Sequence, residues 1–183
     1  MIHLKTDEEI ELMRKSAKLA AEVLIMIEPY VKPGVTTNRL DEICHDFIVS
    51  NGAVPSPLNY RGFPKSICSS INEEICHGIP SDRKLRNGDV VNLDITTYLN
   101  GFHGDTSRMF HVGSARKKMT KLVETCKEAL QSAIKLVKPG AHLGDIGATI
   151  QNIAEQRGFS VVREFCGHGI GRSFHEDPQV LHV

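Results

Sequence analysis

The sequence has no net charge and no long apolar run, and each absence argues against one class of protein. Lys+Arg and Asp+Glu number 22 each, so no general attraction to nucleic acid or anionic lipid is expected. The first residues lack the apolar core of a signal peptide. The most apolar early stretch, residues 19–27, is interrupted by Glu22 and is far shorter than a membrane span. We therefore expect a cytoplasmic protein that has neither a membrane nor a specific nucleic-acid partner.

The cysteines also lack the Cys-x-x-Cys spacing of structural zinc sites. They are odd in number and mostly sit among apolar neighbours, which is typical of free thiols in a reducing compartment: Cys44, Cys68, Cys76, Cys126 and Cys166. What remains is a chain of 183 residues with 40% hydrophobic content, enough for one globular domain.

Two stretches of the chain follow the same plan. In the first, a capping box at Thr6 opens a helix that runs to Ile27, and a Lys-Pro-Gly turn leads to a second helix that Asn51-Gly52 ends. The apolar face of this second helix is Leu40, Ile43, Cys44, Phe47 and Ile48. The order then returns in a helix with an apolar pattern, a second Lys-Pro-Gly turn and a helix that ends before Gly158. The pattern of the third helix is Leu122, Val123, Cys126, Leu130 and Ile134.

Each copy then reaches a histidine in a similar setting, Cys76-His77-Gly-Ile in the first and Gly-His168-Gly-Ile in the second. Chance similarity of two helical hairpins would not include this match, so duplication is the better interpretation. We expect a single catalytic domain over residues 1–183, with pseudo-repeats at about 7–112 and 116–183. The first copy continues into a hairpin that the second lacks, so we expect a chain truncated at its C-terminus.

The hairpin of the first copy is a candidate metal site. Two strand-like runs over residues 87–110 are joined by Asn100-Gly101, a strong hairpin signal. A two-residue turn places Asp105 opposite Thr96 and Asp94 opposite Ser107, so both carboxylates share one face at roughly 7–8 Å, and divalent cations would relieve their repulsion. Val91, Leu93 and Ile95 take the opposite face and are expected to pack on helices.

Ordinary structural roles compete with this interpretation. Asp94 alone could be a strand aspartate bonded to a turn, and Asp105 alone could form a turn or cap a helix. Two aspartates on one face of a hairpin nevertheless call for a reason, because strand interiors disfavour aspartate.

The histidines divide into two groups. His168 lies between glycines that let a backbone approach a site closely, and His175 follows it, so one should be a metal ligand and the other a polar contact. The repeat pairs His77 with His168, and we expect His77 to contact substrate. Structural or solvent-exposed roles are expected for the rest: His3, His45, His103, His111, His142 and His182.

Four motifs resemble the type I methionine aminopeptidases of the bacterial kind. They are Asn-x-x-x-Cys-His-Gly-Ile-Pro, Asn-Leu-Asp-Ile-Thr, Gly-Phe-His-Gly-Asp-Thr-Ser and Gly-His-Gly-Ile-Gly-x-x-Phe-His. The resemblance runs from the first helix to the end of the chain. It implies an α+β pita-bread fold of two pseudo-symmetric halves, the second without its final strands, and removal of the N-terminal methionine from nascent proteins with a small second residue preferred.

The resemblance also implies the site. Family members hold two divalent metal ions with Asp, Asp, His and two Glu, and here Asp94, Asp105 and His168 match the first three. Cobalt, manganese, iron and zinc all suit such ligands. Both glutamates would lie beyond Val183, and losing two of five ligands should weaken metal binding by several kcal/mol, ten-fold for every ~1.4 kcal/mol.

Roles for the remaining residues and partners follow from the same resemblance. His77 would bind and orient the peptide, and His175 would contact the scissile carbonyl and stabilise the tetrahedral intermediate. Tyr60, Phe63 and Cys68 match positions that line the methionine pocket, although plain core packing explains them about as well. The expected partner is a peptide or nascent-chain N-terminus, with ribosome association left open and a monomer when full length.

Two rivals remain at the level of sequence. A related proline dipeptidase would share the fold, but Cys-His-Gly-Ile-Pro after Tyr60-Arg-Gly-Phe-Pro-Lys favours methionine removal. A metal-depleted pita-bread binding module, inactive because two glutamate ligands are absent, belongs to a different functional class.

Overall fold

A computed structural model describes the whole chain from Met1 to Val183. The chain forms two compact units. The first unit consists of Leu4–Ala115 and Ile170–Phe174, and the second of Met1–His3, Arg116–Gly169 and His175–Val183. None of the helices combines the length and the apolar character that a membrane span needs.

The first helix of the first unit, α1, spans Asp7–Ile27. The capping box predicted at its start is present: the Thr6 hydroxyl accepts a hydrogen bond from the Glu9 N–H (3.3 Å), and the Glu9 carboxylate accepts one from the Thr6 N–H (3.1 Å). These bonds satisfy two N–H groups that the helix itself leaves unpaired. The helix therefore begins and ends where the sequence predicts.

The second helix, α2, spans Thr37–Ser50 and ends before Gly52, which has a φ of +75°. Three members of its predicted apolar face are fully buried, namely Leu40, Cys44 and Ile48. Ile43 and Phe47 are half-buried and pack against the same core. The predicted face is therefore confirmed.

Four antiparallel strands complete the first unit: β1 (Val54–Pro55), β2 (Cys68–Ile71), β3 (Val90–Leu99) and β4 (Phe102–His111). β3 is the central strand, since it pairs with β4 along its length, with β1 near Tyr98 and with β2 from Val91 to Asp94. The predicted register is confirmed, with Asp94 opposite Ser107 and Asp105 opposite Thr96.

The sheet and α1 hold the core of the first unit between them. Val91, Leu93 and Ile95 are fully buried on the face opposite Asp94, as predicted. Ser16 of α1 and Thr97 of β3 exchange buried hydrogen bonds, in which each hydroxyl donates to the other residue's carbonyl at 3.0 and 2.9 Å. This core fixes the strand that carries Asp94.

The second unit contains two helices, α3 (Lys117–Ile134) and α4 (Leu143–Gln156), and two short strands, β5 (Gly167–Gly169) and β6 (Glu176–Val180). α3 covers the predicted helical run and ends before the second Lys-Pro-Gly turn, but its apolar pattern does not mark the buried face. Cys126, Leu130 and Ile134 are exposed, and Leu122 and Val123 are half-buried.

The buried stripe of α3 consists instead of Thr125, Ala129 and Ala133, spaced four residues apart along one face. α3 packs against α4, in which the buried residue is Gly147. The small side chains of this stripe allow α3 to approach α4 closely. Gly147 instead faces the last residues of the chain, where an added Cβ would stand 2.5 Å from the carbonyl oxygen of Val183. The buried face of α3 therefore differs from the apolar pattern that the sequence shows.

Candidate active site

Asp94 and Asp105 lie together on one face of the β3–β4 hairpin, as the register requires. Asp94 is half-buried and Asp105 is exposed. Burial, and then the charge of Asp105 and a hydrogen bond with it, together raise the pKa of Asp94 from its ordinary value of 3.8 to about 7. The two carboxylates therefore act on each other across the hairpin.

This pair fits a divalent cation. A half-buried carboxylate that resists ionisation beside a second carboxylate is the environment that a bound cation relieves, because the positive charge stabilises both ionised forms. Neither unit by itself contains a group of three or more His, Cys, Asp or Glu side chains placed to hold a metal ion. The hairpin thus contributes two oxygen-donor groups.

The neighbouring thiol argues for hard ligands at this position. Cys68 pairs with Asp94 across β2 and β3 and is buried. Burial, and then the charges of Asp94 and Asp105, raise the pKa of the Cys68 thiol to about 12. The thiol therefore stays protonated at neutral pH, which leaves the carboxylate oxygens of Asp94 and Asp105 as the groups of this face that could hold a cation.

His168 and His175 form a second cluster, within the second unit. Their ring centroids lie 4.3 Å apart with an interplanar angle of 39°. His168 Nδ1 is 2.8 Å from the carbonyl oxygen of Gly169, and because a carbonyl only accepts, Nδ1 carries the proton. This tautomer leaves the lone pair on Nε2, the arrangement common in metal-binding histidines.

Next to His168 the strands β5 and β6 approach each other closely, and this approach depends on one of the two glycines that flank the histidine. A Cβ at Gly169 would stand 2.2 Å from the carbonyl oxygen of Asp177, whereas a Cβ at Gly167 would meet Val180 at an ordinary 3.4 Å. The strand pairing is irregular at the same place, between His168 and Gly169. Gly169 is therefore the glycine that lets β6 lie against β5.

His77 lies in the loop after β2 with a φ of +55°, the left-handed region that side chains other than glycine rarely adopt. The next residue holds this loop: the Gly78 N–H donates to the Ser70 hydroxyl (3.1 Å), and the Ser69 N–H donates to the Gly78 carbonyl (2.8 Å). A Cβ at Gly78 would stand 2.3 Å from the Ser69 carbonyl oxygen, so only glycine fits. Such enforced strain is frequent at functional sites.

Of the three residues predicted for the methionine pocket, Cys68 is buried in β2 and Phe63 is half-buried. Tyr60 lies in a 3-10 turn, Tyr60–Gly62, and its ring centroid is 4.9 Å from that of Phe174. Sequence reasoning did not single out Phe174, nor the His103 ring that stacks on it. The only local signal for Phe174 was its place next to His175.

Comparison with known proteins agrees with this geometry. The model of metallopeptidase family M24 matches residues 11–182. The chain is 58% identical over 183 residues to the methionine aminopeptidase of Escherichia coli (strain K12), an alignment that covers 99% of this chain and 69% of that protein. It is similar to the crystal structure of methionine aminopeptidase from Rickettsia prowazekii, with a TM-score of 0.98, 53% identity and coverage of 100% of this chain and 73% of that one.

A likeness to the prolidase from Pyrococcus furiosus shows the fold alone. Its TM-score is 0.84 at 23% identity, over 98% of this chain and 52% of the prolidase. The predicted α+β pita-bread fold is confirmed by these neighbours, and the much higher identity to methionine aminopeptidases decides against the proline dipeptidase. The chain therefore belongs to metallopeptidase family M24, as one of the methionine aminopeptidases, metal-dependent enzymes that remove an N-terminal methionine by peptide hydrolysis.

Proposed function

We propose that Asp94, Asp105 and His168 hold two divalent metal ions. The observation that carries this proposal is the pair of interacting carboxylates on β3 and β4, in which burial and Asp105 raise the pKa of Asp94 to about 7. The His168 tautomer supports the third ligand, since the Gly169 carbonyl takes the Nδ1 proton and Nε2 keeps its lone pair. Carboxylate and imidazole donors suit cobalt, manganese, iron or zinc.

Divalent cations bound there would supply Lewis-acid stabilisation of negative charge on the peptide carbonyl. His175 holds a proton near that carbonyl oxygen and stabilises the tetrahedral intermediate, a role that its ring contact with His168 supports. His77 binds and orients the peptide, and its left-handed backbone conformation sets where the side chain leaves the loop.

Tyr60, Phe63 and Cys68 line the pocket for the methionine side chain. Support comes from the aromatic contact of Tyr60 and from the neutral thiol of Cys68, because aromatic and sulfur groups are polarizable partners for a thioether. The second residue of the substrate is small, such as alanine or serine.

The substrates are N-termini of nascent proteins in the cytoplasm, met at or near the ribosome by a monomeric enzyme. Five free cysteines support a reducing compartment. The formal net charge of zero leaves recognition to the site instead of to general electrostatic attraction.

The test of these roles is hydrolysis of Met-Ala-Ser and Met-Arg-Ser in excess Mn²⁺. We expect methionine release from the first peptide and much less from the second. His175→Ala should lower kcat by about 100-fold or more, because one stabilising donor is lost from the transition state. His77→Ala should raise KM.

The matched control is His111→Ala, which removes an exposed imidazole of β4 and should leave both constants unchanged. The assignment of the two histidines fails if His175→Ala keeps its kcat, or if the control variant loses as much activity as either of them.

A further inference from the structure

His103, on β4, is fixed by contacts that its sequence pattern does not reveal. Its Nδ1 lies 2.8 Å from the hydroxyl of Ser56, and its backbone N–H donates to the carbonyl of Gly171 at 2.8 Å. Its ring stacks on Phe174, with centroids 5.4 Å apart and an interplanar angle of 14°, and tilts against Tyr98 at 4.7 Å. The plane of the imidazole is therefore set from several sides.

Phe174 in turn contacts Tyr60, at 4.9 Å between ring centroids and a tilt of 53°. The short segment that carries Phe174 is anchored at Arg172, which pairs with Glu9 (3.0 Å) and lies 4.5 Å over the Phe102 ring. These anchors fix the backbone of the segment, while the aromatic rings around Phe174 decide how its own ring is turned.

We propose that His103 is a positioning residue that sets the orientation of the Phe174 ring against Tyr60, and thereby shapes the pocket for an unbranched thioether side chain. This inference rests on the proposed function of Tyr60 as a pocket residue. The Ser56 hydroxyl fixes the plane of the His103 imidazole through Nδ1. The imidazole stacks nearly parallel on the Phe174 ring, and the Phe174 ring in turn contacts the Tyr60 ring.

His103 offers a flat ring that stacks on Phe174 and a polar atom that faces Ser56, and conservative variants can remove one of these features at a time. Phenylalanine keeps a flat ring for Phe174 but loses the polar atom that faces Ser56. Asparagine keeps a polar atom near the Nδ1 position but loses the ring. If stacking positions Phe174, the phenylalanine variant should retain more of the pocket's selectivity than the asparagine variant.

The experiment measures dissociation constants of L-methionine and L-leucine for the chain in excess Mn²⁺, by calorimetry. These ligands contain no peptide bond, so binding is read without turnover. His103→Ala should reduce the preference for methionine over leucine about two- to ten-fold, the effect of losing an aromatic pair. His103→Phe should restore the preference to within about two-fold of the unmodified chain.

Near-ultraviolet circular dichroism supplies an independent readout. The sequence has no tryptophan and three tyrosines, so the tyrosine band comes from Tyr30, Tyr60 and Tyr98, of which Tyr60 contacts Phe174 and Tyr98 contacts His103. We expect His103→Ala to weaken the tyrosine band and His103→Phe to keep it. The control is His111→Ala on the same strand, where the imidazole is exposed and both readouts should stay unchanged.

The outcomes distinguish the assignment of the methionine pocket from the positioning role of His103. An unmodified chain without preference for methionine overturns the pocket assignment and the role of His103 together. An unmodified chain that prefers methionine, alongside a folded His103→Ala variant with the same preference, overturns the role of His103 alone. If His103→Ala does not fold, equal selectivity of the phenylalanine and asparagine variants overturns it.

Discussion

Replacing Asp94 with asparagine should stabilise the metal-free chain and at the same time remove its response to divalent metal. In the folded chain the pKa of Asp94 is raised from 3.8 to about 7 by burial and by Asp105. Between about pH 4 and pH 7 the folded chain therefore holds a proton that the unfolded chain has released, so the stability of the metal-free chain falls as the pH rises through this window. Asparagine carries no charge and escapes this penalty.

The size of the effect follows from the same shift. A difference of about three pH units corresponds to ~4 kcal/mol, at ~1.4 kcal/mol for each unit. Asp105 is exposed, and solvent screens its charge, so we expect Asp94→Asn to raise the free energy of unfolding by about 2–4 kcal/mol above pH 7. Well below pH 4 Asp94 is protonated in both the folded and the unfolded chain, and the gain should vanish.

Urea denaturation followed by far-ultraviolet circular dichroism, at several pH values and with or without Mn²⁺, measures both effects. Mn²⁺ should stabilise the unmodified chain by mass action and leave Asp94→Asn almost unchanged. Asp46→Asn, which changes an exposed carboxyl group of α2, is the matched control. If Asp94→Asn destabilises the metal-free chain above pH 7, Asp94 carries no electrostatic penalty there; if Mn²⁺ stabilises both chains equally, Asp94 does not bind the metal.

Three further predictions concern metal binding and the scaffold of the site. Because metal-free Asp94 keeps a proton below about pH 7, Mn²⁺ binding should release about one proton at pH 6 and nearly none at pH 8, which calorimetry in buffers of different ionisation enthalpy counts. Burial raises the pKa of Asp89, but hydrogen bonds from Asn72 and from the Arg86 N–H outweigh it, and the pKa lies below its ordinary value. Asp89→Asn should therefore cost about 1–3 kcal/mol of unfolding free energy at neutral pH. The cost should shrink progressively below about pH 4, as the carboxyl group of the unmodified chain becomes protonated. Gly104→Ala should cost about 3 kcal/mol in the same denaturation assay, since its Cβ would stand 2.3 Å from the Ala17 nitrogen in α1; an unchanged midpoint would contradict the close approach.

The β3–β4 hairpin could be predicted from sequence because its determinants are local. Asn100 and Gly101 both adopt positive φ, +54° and +85°, as a two-residue turn of this kind requires. Once the turn is fixed, the two-residue period of a strand places Asp94 and Asp105 on one face without further information. The capping box at Thr6 was predictable for the same reason, since its partners lie three residues apart.

Contacts between distant residues could not be predicted in this way. Phe174 meets Tyr60 and His103 because the segment Ile170–Phe174 belongs to the first unit, far along the chain from either partner. The buried face of α3 escaped prediction because Thr125, Ala129 and Ala133 are small, so the apolar pattern followed larger residues that lie exposed. Periodicity reports hydrophobicity, and packing between helices also depends on side-chain size.

Release of methionine from Met-Ala-Ser, measured with and without millimolar Mn²⁺, tests whether the β3–β4 hairpin carries a metal-dependent active site. We predict release that requires the added metal, stops when a chelator removes it, and is lost in the Asp94→Asn variant. Millimolar metal favours occupancy of the site by mass action. Release that persists without metal, equal rates for the unmodified chain and Asp94→Asn, or no release under any metal concentration would contradict the assignment of a metal-dependent site to this hairpin.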